Sequence, residues 1–190
     1  MDVNGIVRNV MNQLGMTSPV DKKRTEEATN NIINHILGDY KWRFLRVETT
    51  LPVSSATSEY DVDDDFLFPV PDSMHYPDGK IFIVDREYLA SLYPDLTYLT
   101  ELKYAIFGNR IITFYDVSNL DSVVTVTYVY HRTGKPNDLD VDPGFVEIIQ
   151  NGVIKNVAKA NMAIRDRAAI DYATQLEKKK LRWEISYGGS

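Results

Sequence analysis

The stretch Ser122–Ile149, SVVTVTYVYHRTGKPNDLDVDPGFVEII, decides the fold, because within it the chain passes from one kind of regular structure to another. Its first part is β-branched and aromatic, the composition of a strand. A polar loop, HRTGKPNDLDVDPG, follows. Asp142 then stands where a helix N-cap belongs, with Pro143 at the first helical position. Phe145, Ile149, Val153, Val157, Ala160 and Ile164 recur on one face of the long helix this predicts. A further helix is expected from about Asp166, with Ala169, Ala173, Leu176 and Lys180 in register and Lys178–Lys180 at the negative end of its dipole.

Working back from that stretch, short strand-like runs fill Val47 to Arg132: VETTLPV, KIFIV, LKYAIF and RIITFY. Gly108-Asn109 predicts a tight hairpin turn, and a short helix is expected from Asp85 to Tyr93, halted by Pro94. Before them come two helices. Val3, Ile6, Val7, Val10 and Leu14 keep helical spacing up to Gly15; Ser18 and Pro19 open a second helix. Its stripe is Ala28, Ile32, Ile33, Ile36 and Leu37, and Gly38 stops it. The order is helices, strands, helices.

The chain has 190 residues, enough for one large domain or one domain with an inserted lobe, and no cysteine, which removes disulfides, thiolate metal sites and a cysteine nucleophile. The first residues lack the pattern of a signal peptide, and no apolar run reaches the roughly 20 residues that cross a bilayer, so a soluble protein is expected. Net charge is −6, unevenly spread. Thr57–Gly79 carries seven acids and no Lys or Arg, whereas Lys155–Arg182 carries eight bases against three acids. Such a balance makes a poor general nucleic-acid binder but allows copies to meet acid to base.

Two aspartate runs imitate calcium loops. Asp61, Asp63 and Asp65 occupy the first, third and fifth EF-hand positions, but Phe66 replaces the glycine and the shorter Asp72 the closing glutamate. Asp138, Asp140 and Asp142 fail likewise: Gly144 comes one place late and Ile149 stands where the last acid belongs. His35, His75 and His131 are scattered, with no HExxH. Nor is there a GxGxxG, a phosphate-binding loop or a GxSxG elbow. Closely adjacent acids such as DVDDD are usually a solvated face.

The order of several stretches resembles a known family. An aromatic patch, DYKWRFL with Trp42 and Phe44, is followed by TTLPV and EYDVDDDFLFP; YAIFGNRIITFY, VTVTYVYHRTGKP and VDPGFVEIIQNGVIKNVAKA come next. Together they resemble the phage head-to-tail connector proteins, also called adaptor or tail-accessory proteins. Asp63 stands where that family usually has proline. The resemblance implies no enzyme and no cofactor. It implies an α+β fold: a helical bundle formed by N- and C-terminal helices (residues 1–46 and 133–182), an inserted antiparallel β-rich lobe (47–132), and an extended tail (183–190).

It also implies partners: a homo-oligomeric ring, commonly a dodecamer, on the phage portal protein, a tail or next ring protein below, and double-stranded DNA passing through without specific binding. No membrane is involved; assembly is in the bacterial cytoplasm and the final place is the virion. Three placements stay open for Asp61, Asp63, Asp64 and Asp65: against a neighbour's Lys178, Lys179, Lys180 and Arg182, lining the channel, or in solvent. Trp183, Ile185 and Tyr187 alternate as in an extended strand and suit docking on the portal or on the chain's own core. The competing functions are a calcium-dependent β-module binding glycan or protein, and a small carboxylate-dependent hydrolase.

Overall fold

The structure, a computed structural model, describes residues 1–70, 72–76, 79–83, 103–107, 111–115, 117, 120 and 122–183. The fold class is α+β, and the chain divides into two compact units: Met1–Leu45 with the chain from Gly134, and Arg46–Thr133. The expected Asp85–Tyr93 helix and Gly108-Asn109 turn lie outside the described residues.

The first unit is helical. Helix α1 (Val3–Leu14) starts where the Asp2 side chain accepts from the Gly5 N–H and ends at Gly15, whose φ of 64° sends the Gly15 and Met16 N–H groups back to Asn12 and Met11. In α2 (Pro19–Gly38) the Ser18 hydroxyl accepts from Asp21 and Pro19 sits in the first turn. Thr25 and Thr29 lie on its buried face, their hydroxyls each donating to a carbonyl one turn back at 2.7 Å, so no donor is stranded. A 3-10 turn (Arg43–Leu45) follows the fully buried Trp42, whose indole N–H donates to the Ile36 carbonyl.

After the second unit the chain re-enters through another 3-10 turn (Pro136–Val141) into α3 (Gly144–Val157), then α4 (Met162–Trp183). Helix α3 packs against α1, α2 and α4, and so buries Phe145, Ile148, Ile149 and Val153 completely. Gly152 lets the Tyr172 ring of α4 lie against it: a Cβ there would meet that ring at 2.8 Å and Ile32 of α2 at 3.0 Å. The expected single helix through Ile164 is two. Asn161 breaks it by capping α4, its side chain accepting from the Ile164 N–H at 3.1 Å, with no glycine or proline to announce the stop. The second helix accordingly starts at Met162 rather than near Asp166, and it retains Trp183, expected in the extended tail, as a helical residue.

The second unit is built on β9 (Val124–Arg132). Its whole length pairs antiparallel with β1 (Arg46–Val53), from Arg46 opposite His131 to Val53 opposite Val124. On its other edge lie β3 (Phe66–Pro69) and then β4 (His75–Tyr76), which also pairs β5 (Gly79–Lys80). The second sheet has the order β2 (Glu59–Asp61), β8 (Ile111–Tyr115), β7 (Lys103–Phe107), β6 (Phe82–Ile83). Both sheets contribute to one core around Val53, Ile81, Ile112, Phe114, Val126 and Tyr128. The run KIFIV is divided between the sheets at Ile81, buried to 1% exposure, whose N–H donates to the Met74 carbonyl. Among the described residues the lobe is antiparallel except where β6 meets β7 in parallel.

Because Gly152 is confined on two sides, Gly152→Ala is expected to lower stability by about 1–2 kcal/mol despite alanine's better helix propensity. Urea unfolding of the two proteins measures the difference; an equal or higher midpoint for the variant contradicts the packing described.

Candidate functional site

The acidic run sits on a built turn. Asp61 ends β2, paired with Ile111 of β8, and Val62 beside it is buried. Asp63 accepts at its carbonyl from the Phe66 N–H, and Asp65 from the Thr133 N–H at 2.6 Å. The Tyr130 hydroxyl donates to Asp65 Oδ1 at 2.9 Å. Phe66 packs on the Tyr130 ring and Phe68 on His131, with centroids 5.3 and 4.7 Å apart, so the apolar end of the run is anchored on β9. Burial, helped by the charge of Asp63, pushes the Tyr128 hydroxyl up to about 12. Burial and the hydrogen bonds to Asp65 and Asp63 push Tyr130 up as well. Asp61, Asp63 and Asp64 stay exposed on this frame, while Asp65 is half-buried.

In the helical unit one carboxylate gathers two of the four expected basic residues, Lys179 and Arg182. Asp142 has extended backbone and Pro143 helical; the Asp142 carbonyl accepts from Phe145 and its Oδ1 from the Gly144 N–H at 2.9 Å, so it caps α3. Its Oδ2 accepts from Lys179 Nζ at 2.5 Å and from the Trp183 indole N–H at 3.2 Å, with Arg182 at 3.6 Å. Burial alone pushes this carboxyl up, but the hydrogen bonds from Lys179, Gly144 and Trp183 outweigh it and hold the group at about 2. Trp183 also lies edge-on to Phe44.

Asp142 was legible as a cap; its second role, tying down the end of α4 thirty-seven residues on, was not. The rest of that aspartate run is equally engaged. Asp138 accepts from the Lys135 N–H, and Asp140 pairs with the Met1 amino group at 2.6 Å. Of the other bases, Lys180 pairs with Glu177 at 2.6 Å and lies 4.3 Å from the Tyr40 ring centre, whereas Lys178 is exposed. Lys179 and Lys180 are thus engaged with acids of their own unit. Trp183 is likewise seated in its own unit; Ile185 and Tyr187 lie outside the described residues.

His35 lies on α2, His75 on β4 and His131 on β9. Among the described residues no three histidine or acidic side chains converge as a metal site, and no helix is long and apolar enough to cross a membrane.

The Asp142 carboxyl is depressed, so its contribution is complete above an unfolded value near pH 4 and is lost as pH falls toward 2. Asp142→Asn should therefore cost about 2 kcal/mol at pH 7 and nothing near pH 2, flattening the acid limb of the stability curve. Urea titrations between pH 2 and 7 measure this; parallel curves for the two proteins contradict it.

Comparison with protein-family models and with curated proteins returns no match for this chain.

Proposed function

We propose that the chain is a structural ring protein of a phage head-to-tail junction, non-enzymatic, seated on the portal and extending the DNA channel toward a tail or next ring protein. The observation that carries this reading is the coincidence of the family-like stretches with distinct elements in the family-like order. EYDVDDDFLFP is β2, the acidic turn and β3; VTVTYVYHR is β9; GFVEIIQNGVIKNV is α3. The first two lie in a β unit flanked in sequence by the two halves of a helical unit, to which the third belongs. In this reading twelve copies close a ring, DNA passes without specific contacts, and the protein assembles in the bacterial cytoplasm before becoming part of the virion.

Charge supports the same reading. The acidic turn is held by backbone hydrogen bonds that survive loss of its charges, and Asp61, Asp63 and Asp64 stand exposed on it, where another copy can reach them. We place them against exposed bases of the next copy, Lys178 first, since Lys179 and Lys180 have partners in their own unit. Ile185 and Tyr187 remain proposed portal contacts, while Trp183 holds α4.

The test is sedimentation of the chain with portal particles at low and high salt. The natural protein is expected to join the portal as a ring. Combined replacement of Asp63, Asp64 and Asp65 by asparagine should weaken ring formation about tenfold or more at low salt and much less at high salt, where screening already suppresses the attraction. A natural chain that stays monomeric with portal present overturns the function, and equal assembly of the variant at low salt overturns the placement of the acids.

A further inference from the structure

We infer that the cleft between α1 and the start of α2 is a docking site for an acidic protein segment that carries large apolar side chains. The site concerns a partner of the helical unit and stands whether or not copies of the chain close a ring. The cleft has a volume of about 580 Å³, and its floor is Val7, Met11 and Met16. Val7 is buried and the two methionines are half-buried. The turn between the helices sets this floor: Gly15, with a φ of 64°, reverses the chain, and the Met16 N–H donates to the Met11 carbonyl at 2.9 Å, which brings Met16 back to Met11. Methionine side chains are unbranched and polarizable, so a floor made of two of them adapts to leucine or phenylalanine alike.

Charge on the rim says what enters. Arg8 lines the cleft from α1 and Lys22 from α2, and among the described residues no acid lines it. Arg8 is exposed and makes no ion pair or hydrogen bond with any described residue. Lys22 pairs with Glu26 one turn on, at 3.7 Å and with both side chains exposed, a contact of little net strength that another carboxylate can replace. Asp21, beside Lys22 in sequence, is turned to the helix cap, its Oδ2 accepting from the Ser18 hydroxyl at 2.7 Å.

Asn4, Asn12 and Thr17 complete the exposed rim with donors and acceptors for the main chain of a bound segment. An apolar floor between two cations fits a segment of mixed apolar and acidic side chains. A nucleic-acid backbone would leave the methionines uncovered and needs a broader basic surface.

Of the five methionines, Met11 and Met16 line the cleft, whereas Met74 is buried in the β unit and Met162 is exposed at the start of α4. NMR signals of the methionine methyl groups therefore read the site directly. The probe is a short peptide of leucine, phenylalanine and glutamate, blocked at both ends, and its control has lysine in place of glutamate. Titration with the acidic peptide should shift the Met11 and Met16 methyls in a saturable way and leave those of Met74 and Met162 in place. Arg8→Glu combined with Lys22→Glu should weaken this binding about tenfold or more, with a nearly unchanged melting curve because both side chains are exposed.

No shift, an equal response to the lysine peptide, an equal shift at Met162, or undiminished binding by the charge-reversed variant each overturns the inference. A shift produced by sodium octanoate but not by the acidic peptide would make the occupant a small amphipathic anion, and would overturn it as well.

Discussion

One buried carboxylate closes the helical unit. Asp142 lies at the start of α3, and its acceptor oxygens hold the Gly144 N–H, the Lys179 ammonium and the Trp183 indole, so the first turn of α3 and the last of α4 share one group. Two helices joined by a short link pack only as firmly as their far ends are held, and here those ends meet at a charge-assisted hydrogen bond shielded from water. The Met1 amino group on Asp140 and Phe44 against Trp183 bring the first segment to the same corner. This constraint matters because the chain leaves the unit at Leu45 and re-enters only at Gly134. The long loop closure between those points opposes folding of the unit, and the buried aromatics and the Asp142 junction offset it.

The elements that sequence reading located correctly are those with a local backbone cause. Gly15 requires a left-handed residue, Ser18-Pro19 and Asp142-Pro143 combine a cap with a fixed φ, and each stands at a helix boundary. The break at Asn161 was hidden because an asparagine within an apolar period looks like an ordinary helical residue until its side chain turns back on the Ile164 N–H. Division of KIFIV at Ile81 was hidden for a related reason. Periodicity describes a run of side chains, not which of two sheets each half joins.

Candidate sites were legible as charge and not as partnership. Acidic and basic segments are visible in the sequence, but that Lys179 belongs to Asp142 and Lys180 to Glu177 depends on side-chain geometry across helix turns and between helices. Once those pairs are set aside, Lys178 remains exposed on α4, and Asp61, Asp63 and Asp64 remain exposed on a turn fixed by β9. The charge polarity of the chain is in this way concentrated on surfaces that keep their shape. That is what repeated contacts between identical copies need, since a rigid surface loses little conformational entropy on association.

That the helical unit is one cooperative body made from both ends of the chain is tested most directly by native-state hydrogen exchange. Ile6 and Val10 in α1, Ile33 and Ile36 in α2, Ile149 and Val153 in α3, and Tyr172 and Leu176 in α4 are buried in one core, and their amides should open with one common free energy. If the α1 and α2 amides instead exchange through a separate, lower-energy opening while α3 and α4 stay protected, the two ends of the chain are not one unit and the account fails.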